Sequence, residues 1–165
     1  MSTDMMETVR MWHTPYIGAY LLWRFASGFD SVSNGRGVPL LLFFIAAALV
    51  TDKQYYEPVL KRNLKTYHRY FVEKKKLSVL VVLQSAINTK KAYTCAALER
   101  AVAGGFLKWN SETGTLTARR LKPQRKASLL DNETKQAGKA AEKIGGWFAG
   151  ESLSDICILL GVSPS

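Results

Sequence analysis

The sequence predicts a mainly α-helical chain that carries one small β-hairpin, and three observations support this. Residues 77–105 hold two helix-patterned stretches, LSVLVVLQSAI and KKAYTCAALERAVAGG, joined at Asn88-Thr89 and stopped by Gly104-Gly105. Two short segments follow, FLKWN and TLTARRL, separated by Ser-Glu-Thr-Gly, a hairpin signal with Gly114 where a positive φ is wanted. Elsewhere the apolar residues recur at helical rather than alternating spacing. Helix, turn, helix, glycine, hairpin is the order of a winged helix-turn-helix, which we assign to residues 77–120.

Residues 1–13 are polar with scattered apolar positions and form a loose N-terminal arm. The helical region 14–76 begins at Thr14-Pro15, a capping residue followed by a proline whose missing N–H costs nothing at a first helical position. The helix YIGAYLLWRFASGF puts Tyr16, Ala19, Tyr20 and Trp23 on one face; Gly28 and the stretch DSVSNGRG at 30–37 read as a flexible loop. Pro39 opens a second helix, apolar on all sides to Val50, which demands burial or a covering partner. Residues 51–58 read as a connector. A third helix over 59–73 is amphipathic and basic; with Lys74, Lys75 and Lys76, the segment 61–76 holds seven Lys and Arg against one acid, Glu73. A solvated helix face is the simple explanation for that run.

In the winged unit the first helix, 77–87, reads as buried, although its short apolar run at 79–83 fits a strand as well. The second helix is expected to be capped at Asn88-Thr89 and to turn Ala92, Cys95, Ala96, Leu98, Ala101 and Val102 inward. Residues 121–132 are a basic linker. The C-terminal helices occupy 133–165: one places Ala137, Ala140, Ala141, Ile144 and Phe148 inward, and the last is capped by Ser152 and ended by Gly161.

Composition sets limits on function. A hydrophobic content of 47% over 165 residues supports a packed core and excludes wholesale disorder. Twenty-three Lys and Arg against thirteen Asp and Glu give a net charge of +10, which favours a polyanionic neighbour, nucleic acid or an acidic protein surface. The apolar run at 38–50 is shorter than the ~20 residues of a membrane span, and no signal peptide is visible, so no membrane role is expected. Cys95 and Cys157 are isolated and read as two buried thiols in a reducing cytoplasm.

Chemistry is thinly supplied. His13 and His68 are the only histidines, and neither has a Cys, Asp or Glu at metal-ligand spacing. No phosphate-binding GxxxxGK[ST] or GxGxxG occurs, and Gly35-Arg36-Gly37 is more simply a turn. We therefore expect no enzyme, no cofactor and no metal.

Binding remains. With the second helix of the unit against DNA and the wing on its backbone, Lys90, Lys91, Tyr93, Thr94 and Arg100 would face the duplex. Arg119, Arg120, Lys122, Arg125 and Lys126, five cations within 119–126 with no acid among them, would hold phosphates. The helix lacks the Asn, Gln or Arg series that reads base edges, so contact blind to sequence, or a purely structural winged helix, is the expectation. Among the aromatic residues, Trp12 outside any helix is the best interface anchor; Tyr16, Trp23, Phe43, Phe44 and Trp147 are further candidates.

Two stretches resemble the middle component of bacterial three-component ABC systems, the defence operons of Lamassu type. They are TPYIGAYLLWRFASG at 14–28, followed by PLLL at 39–42, and KAAEKIGGWFA at 139–149, closing on LGVSP at 160–164. Between them, ALER at 97–100 and TGTLT at 113–117 resemble the winged helix and wing of that family; Thr14 stands where an Asn is expected. The resemblance implies a non-catalytic adaptor, a winged-helix or tandem winged-helix-like accessory subunit. It would bridge an SMC-like ABC ATPase and an effector, expected to be a nuclease, with double-stranded DNA contacted through the complex. A free-standing winged-helix transcriptional regulator is the alternative.

Overall fold

The computed structural model describes residues 15–120 and 132–163. Two long helices, α1 (Pro15–Ser33) and α8 (Asn132–Ala149), are each other's most extensive packing partners. Between them in sequence lie β1 (Val38–Pro39), α2 (Leu40–Val50), α3 (Lys53–Lys61), a 3-10 turn (Leu64–Thr66), α4 (Tyr67–Glu73), α5 (Leu77–Val81), α6 (Leu83–Thr89), α7 (Lys91–Ala103), β2 (Leu107–Asn110) and β3 (Thr115–Ala118). Helix α9 (Leu153–Leu160) follows α8.

The α1–α8 contact is made backbone to backbone. A Cβ on Gly28 would lie 2.0 Å from the carbonyl oxygen of Glu142, and one on Gly145 would lie 2.1 Å from that of Phe25. No side chain fits in either place, so glycine is required by proximity rather than by conformation. This is why α1 continues through Gly28, which the sequence suggested as a loop, and stops only at Asn34, whose φ is +58°. Phe25, freed to pack, lies edge-on to Phe43 of α2 at 5.4 Å and to Phe148 of α8 at 5.7 Å.

Helix α2 has no polar face, and its residues from Leu42 onward are buried except for half-buried Phe44, as its composition required. The inward set expected for α8 holds throughout: Ala137, Ala140, Ala141, Ile144 and Phe148 are all buried. Ser152 caps α9 by accepting from the Asp155 N–H at 3.1 Å, and Gly161 ends it at φ +68°.

The hairpin turns where the sequence placed it. The Asn110 side chain accepts from the backbone of Glu112 and Thr113, and Gly114 donates to the Asn110 carbonyl at 2.9 Å. The sheet has a third strand, in the order β1-β3-β2, all antiparallel, with Val38 opposite Leu116 and Trp109 opposite the same residue. A strand from residues 38–39 thus completes a sheet whose other two strands lie at 107–118.

Several local expectations change. Helix α3 takes in residues 53–58, expected within a connector over 51–58, because Asp52 caps it by accepting from the Gln54 N–H at 2.9 Å. The basic helix expected over 59–73 breaks at Arg62–Asn63, where Asn63 and Thr66 cap each other across the 3-10 turn. Helix α7 starts from Lys90 with no side-chain cap rather than from Asn88-Thr89; Thr89 ends α6 and donates back to the Ser85 carbonyl. On α7 the buried residues are Thr94, Ala97, Leu98 and Ala101, while Ala92, Cys95 and Val102 are exposed. Cys95 is therefore an exposed thiol and Cys157 a buried one. The stretch 77–87 is not buried throughout. Leu83 and Ile87, one turn apart, enter the core, but α5 buries no residue.

The two neighbouring glycines of α8 should respond to alanine with opposite signs. Gly145→Ala forces the helices apart and should cost about 3 kcal/mol or more, at the upper end of overpacking. A Cβ on Gly146 meets only Val32 at 3.6 Å, an ordinary contact, so Gly146→Ala should stabilise by about 0.5–1 kcal/mol through helix propensity. Chemical denaturation of the two variants measures both.

Candidate functional site

The polar residues of α1 recur as a stripe. Trp23, Arg24, Ser27, Asp30 and Ser31 return to one face every three or four residues and, with Asn34 just past the helix, form one wall of a cleft of about 840 Å³. The end of β3 with Arg119 and Arg120 forms a second wall, and Glu142 of α8 a third.

Each wall is held by a side chain of α1. The Trp23 indole N–H donates to the Arg119 carbonyl at 2.9 Å, and its ring lies 6.2 Å from Tyr20 and 6.3 Å from Phe106. Arg24 donates through Nη2 and Nε to Glu142 Oε2 at 2.6 and 3.1 Å, and through Nη1 to the Tyr20 hydroxyl at 2.8 Å. Asp30 accepts from the Ala118 N–H at 2.8 Å. Burial pushes the Asp30 carboxyl above the usual carboxylate range, opposed by backbone hydrogen bonds from Ala118 and Gly37. Trp23 and Arg24 on one turn of α1 and Asp30 two turns on thus grip the outer end of β3, α8 and the last ladder residue of β3.

The residues expected at a DNA face separate into three groups. Lys91 and Arg100 are exposed on α7, and Arg119 and Arg120 are exposed on the cleft rim. Lys122, Arg125 and Lys126 lie outside the described residues. Lys90, Tyr93 and Thr94 are turned inward instead. The Lys90 ammonium donates to the Thr51 hydroxyl, which in turn donates to the Ala47 carbonyl at 2.6 Å. Burial lowers the Lys90 pKa, while the neighbouring Asp52 carboxylate acts to raise it. Thr94 is fully buried and donates to the Lys90 carbonyl at 2.9 Å. The Tyr93 ring fills the space over Gly18, where a Cβ would meet its hydroxyl at 2.6 Å. Ala92 and Cys95 give the sequence a different phase for this helix; the packing keeps Leu98 and Ala101 inward, as expected, but adds Thr94 and Ala97 in place of Ala92, Cys95 and Val102.

Of the expected interface aromatics, Trp12 lies outside the described residues. Tyr16 is half exposed. Phe43 is wholly buried against Phe25, so it belongs to the core and presents nothing to a partner. Phe44 lines an apolar groove of about 320 Å³ with Leu41, Ile87, Cys95 and Leu153. Trp147 is half buried between Tyr67, 6.0 Å away, and the Lys143 ammonium at 5.7 Å. Arg24, Asp30 and Glu142 were not singled out from the sequence. The signal available was the polar stripe at helical spacing along an otherwise apolar helix.

The family model of the ABC-three component (ABC-3C) system Middle Component 3 matches residues 2–164. No curated protein and no solved structure matches the chain.

Two outcomes follow from this geometry. Trp23→Phe removes the bond to Arg119 while keeping an aromatic ring, and should cost about 1 kcal/mol, with faster amide exchange at the end of β3. Trp23→Ala should cost more, through lost packing on Tyr20 and Phe106. The second outcome concerns pH. Burial pushes the Tyr93 phenol up to about 12 and the Tyr67 phenol well above its usual value. The unfolded chain ionises both near 10, so the stability they contribute is complete below pH 10 and is lost as pH rises from there. Thermal unfolding of Tyr67→Phe and Tyr93→Phe chains should show a flatter decline above pH 10, by about 2 kcal/mol at pH 12 for Tyr93 alone.

Proposed function

Because the chain belongs to the Middle Component 3 family of ABC-three component systems, we propose that it is a non-catalytic adaptor. It bridges an SMC-like ABC ATPase and a nuclease effector in a Lamassu-type anti-phage or anti-plasmid system. It also contacts double-stranded DNA without reading sequence. The match over residues 2–164 carries this reading, because it covers the helical framework and the hairpin together and not one motif.

The geometry supports the second half of the proposal. Sheet order β1-β3-β2, with α7 leading into β2, supports the winged-helix reading. Here α1 and β1 supply its first helix and strand, and α2 to α5 are inserted before the helix-turn-helix of α6 and α7. Lys91, Arg100, Arg119 and Arg120 are exposed cations on α7 and the outer end of the wing. The solvent face of α7 otherwise offers Ala92, Cys95, Glu99 and Val102, which supply no bidentate base contact. That composition favours phosphate contact over a sequence-reading regulator.

Co-expression with the ATPase and effector encoded beside it should yield one complex. A stable free chain that captures neither would overturn the adaptor reading. Unrelated duplexes should bind within a few-fold of one another, and Arg119→Glu with Arg120→Glu should weaken them all alike. The salt dependence should fall by about one unit per lost phosphate contact, with the complex intact. A complex that dissolves on these changes would assign the two arginines to a protein interface instead.

A further inference from the structure

Helices α4 and α5 form a short hairpin whose outer surface combines two features that a lone soluble domain avoids. The first is apolar exposure. Val72 on α4, Leu77 and Val81 on α5, and Val82 just after it are 56%, 49%, 72% and 52% exposed. Leu77 and Val81 are one turn apart and share a face.

The second feature is the turn that joins the helices. Lys76 donates to the Phe71 carbonyl at 2.7 Å and Lys75 to that of Val72 at 3.2 Å, the paired bonds of a Schellman helix end. The residue this motif holds in the left-handed region is Lys75, at φ +56°. Glycine adopts that conformation without a steric cost and lysine does not. The sequence thus keeps three consecutive lysines at the expense of local stability, the pattern of strain held at a functional position.

Among the described residues, Lys74, Lys75 and Lys76 have no carboxylate within ion-pair distance. The neighbouring acids are engaged: Glu73 with Arg62, Glu57 with Lys61 at 3.6 Å, and Asp52 in capping α3. Lys65 and Arg69 add exposed positive charge on the same hairpin.

We infer that the α4–α5 hairpin is a docking surface for a short amphipathic helix of another subunit, with an aliphatic face for Leu77, Val81 and Val82 and carboxylates for the Lys74–Lys76 turn. This rests on the adaptor reading. DNA offers no aliphatic surface to the exposed valines. Helix α5 is five residues, roughly 7.5 Å long, and carries no aromatic side chain, so it is a poor membrane anchor and matches about one and a half turns of a partner helix.

The test uses the full chain co-expressed with the other two components. A photo-crosslinking residue in place of Val81 should label one of them, at a peptide that combines aliphatic residues with Asp or Glu. Leu77→Asp with Val81→Asp should weaken capture of that component at least about tenfold. Lys74→Glu with Lys76→Glu should do the same, with the loss smaller at high salt. Neither pair should change the melting temperature, because all four side chains are exposed. Lys75→Gly should raise the melting temperature and still weaken capture, a pairing that a merely structural turn would not produce. Undiminished capture by the aspartate variant overturns the docking surface and leaves the adaptor reading standing. If the unaltered chain captures neither component, the adaptor reading itself fails. Sedimentation of the free chain with phosphatidylcholine–phosphatidylserine vesicles, lost on Leu77→Asp, would reassign the surface to a membrane and overturn the proposal.

Discussion

The whole architecture depends on the direct backbone contact of α1 and α8 at Gly28 and Gly145. Two helices whose carbonyls come this close have no adjustable layer of side chains between them, so their relative placement is fixed by covalent geometry. Everything else on α1 is then placed relative to α8. Phe25 meets Phe148, Arg24 meets Glu142, and Trp23 is carried round to the opposite side, where it holds the end of the hairpin. The motif Leu-Trp-Arg-Phe and the motif Gly-Gly-Trp-Phe lie far apart in sequence, yet they are two halves of one joint.

That joint also explains which parts of the structure were legible in the sequence. The pattern of α8 was readable because it is amphipathic, and its Ala and Ile residues mark one stripe. The hairpin was readable because a four-residue turn with glycine leaves few other options. The length of α1 was not, since a glycine that ends a helix and a glycine that admits a neighbouring backbone look alike in a string. The third strand was invisible for a related reason. Two residues, Val38 and Pro39, carry no period, and only the sheet they join reveals them.

The cationic surface was legible in its charge but not in its phase. Counting cations located the excess on 61–76 and 119–126, and the exposed positions of Lys74 to Lys76, Arg119 and Arg120 agree with that. The phase of α7 is ambiguous in the sequence because small residues line both of its sides: Leu98 and Ala101 are inward as expected, but Ala97 and Thr94 are packed where Ala92 and Cys95 were expected. Hydrophobicity distinguishes those faces weakly. What decides is fit: Ala97 lies where Gly18 of α1 leaves room, and a larger residue on the packed side would not.

Helix α7 is consequently fixed at three levels. At its start, the Lys90 ammonium reaches the Thr51 hydroxyl at the carboxyl end of α2, where the helix dipole and the nearby Asp52 carboxylate both favour a cation. At its middle, Tyr93 and Ala97 close on Gly18. At its end, Phe106 donates to the Ala101 carbonyl and packs against Trp23, which also holds Arg119. A helix held in this way cannot turn Tyr93 or Thr94 outward to meet a ligand. Its offered face is therefore set in advance: Ala92, Cys95 and Glu99 between Lys91 and Arg100. Packing against α1 and α2, and not the cationic residues themselves, thus decides which side of α7 reaches solvent.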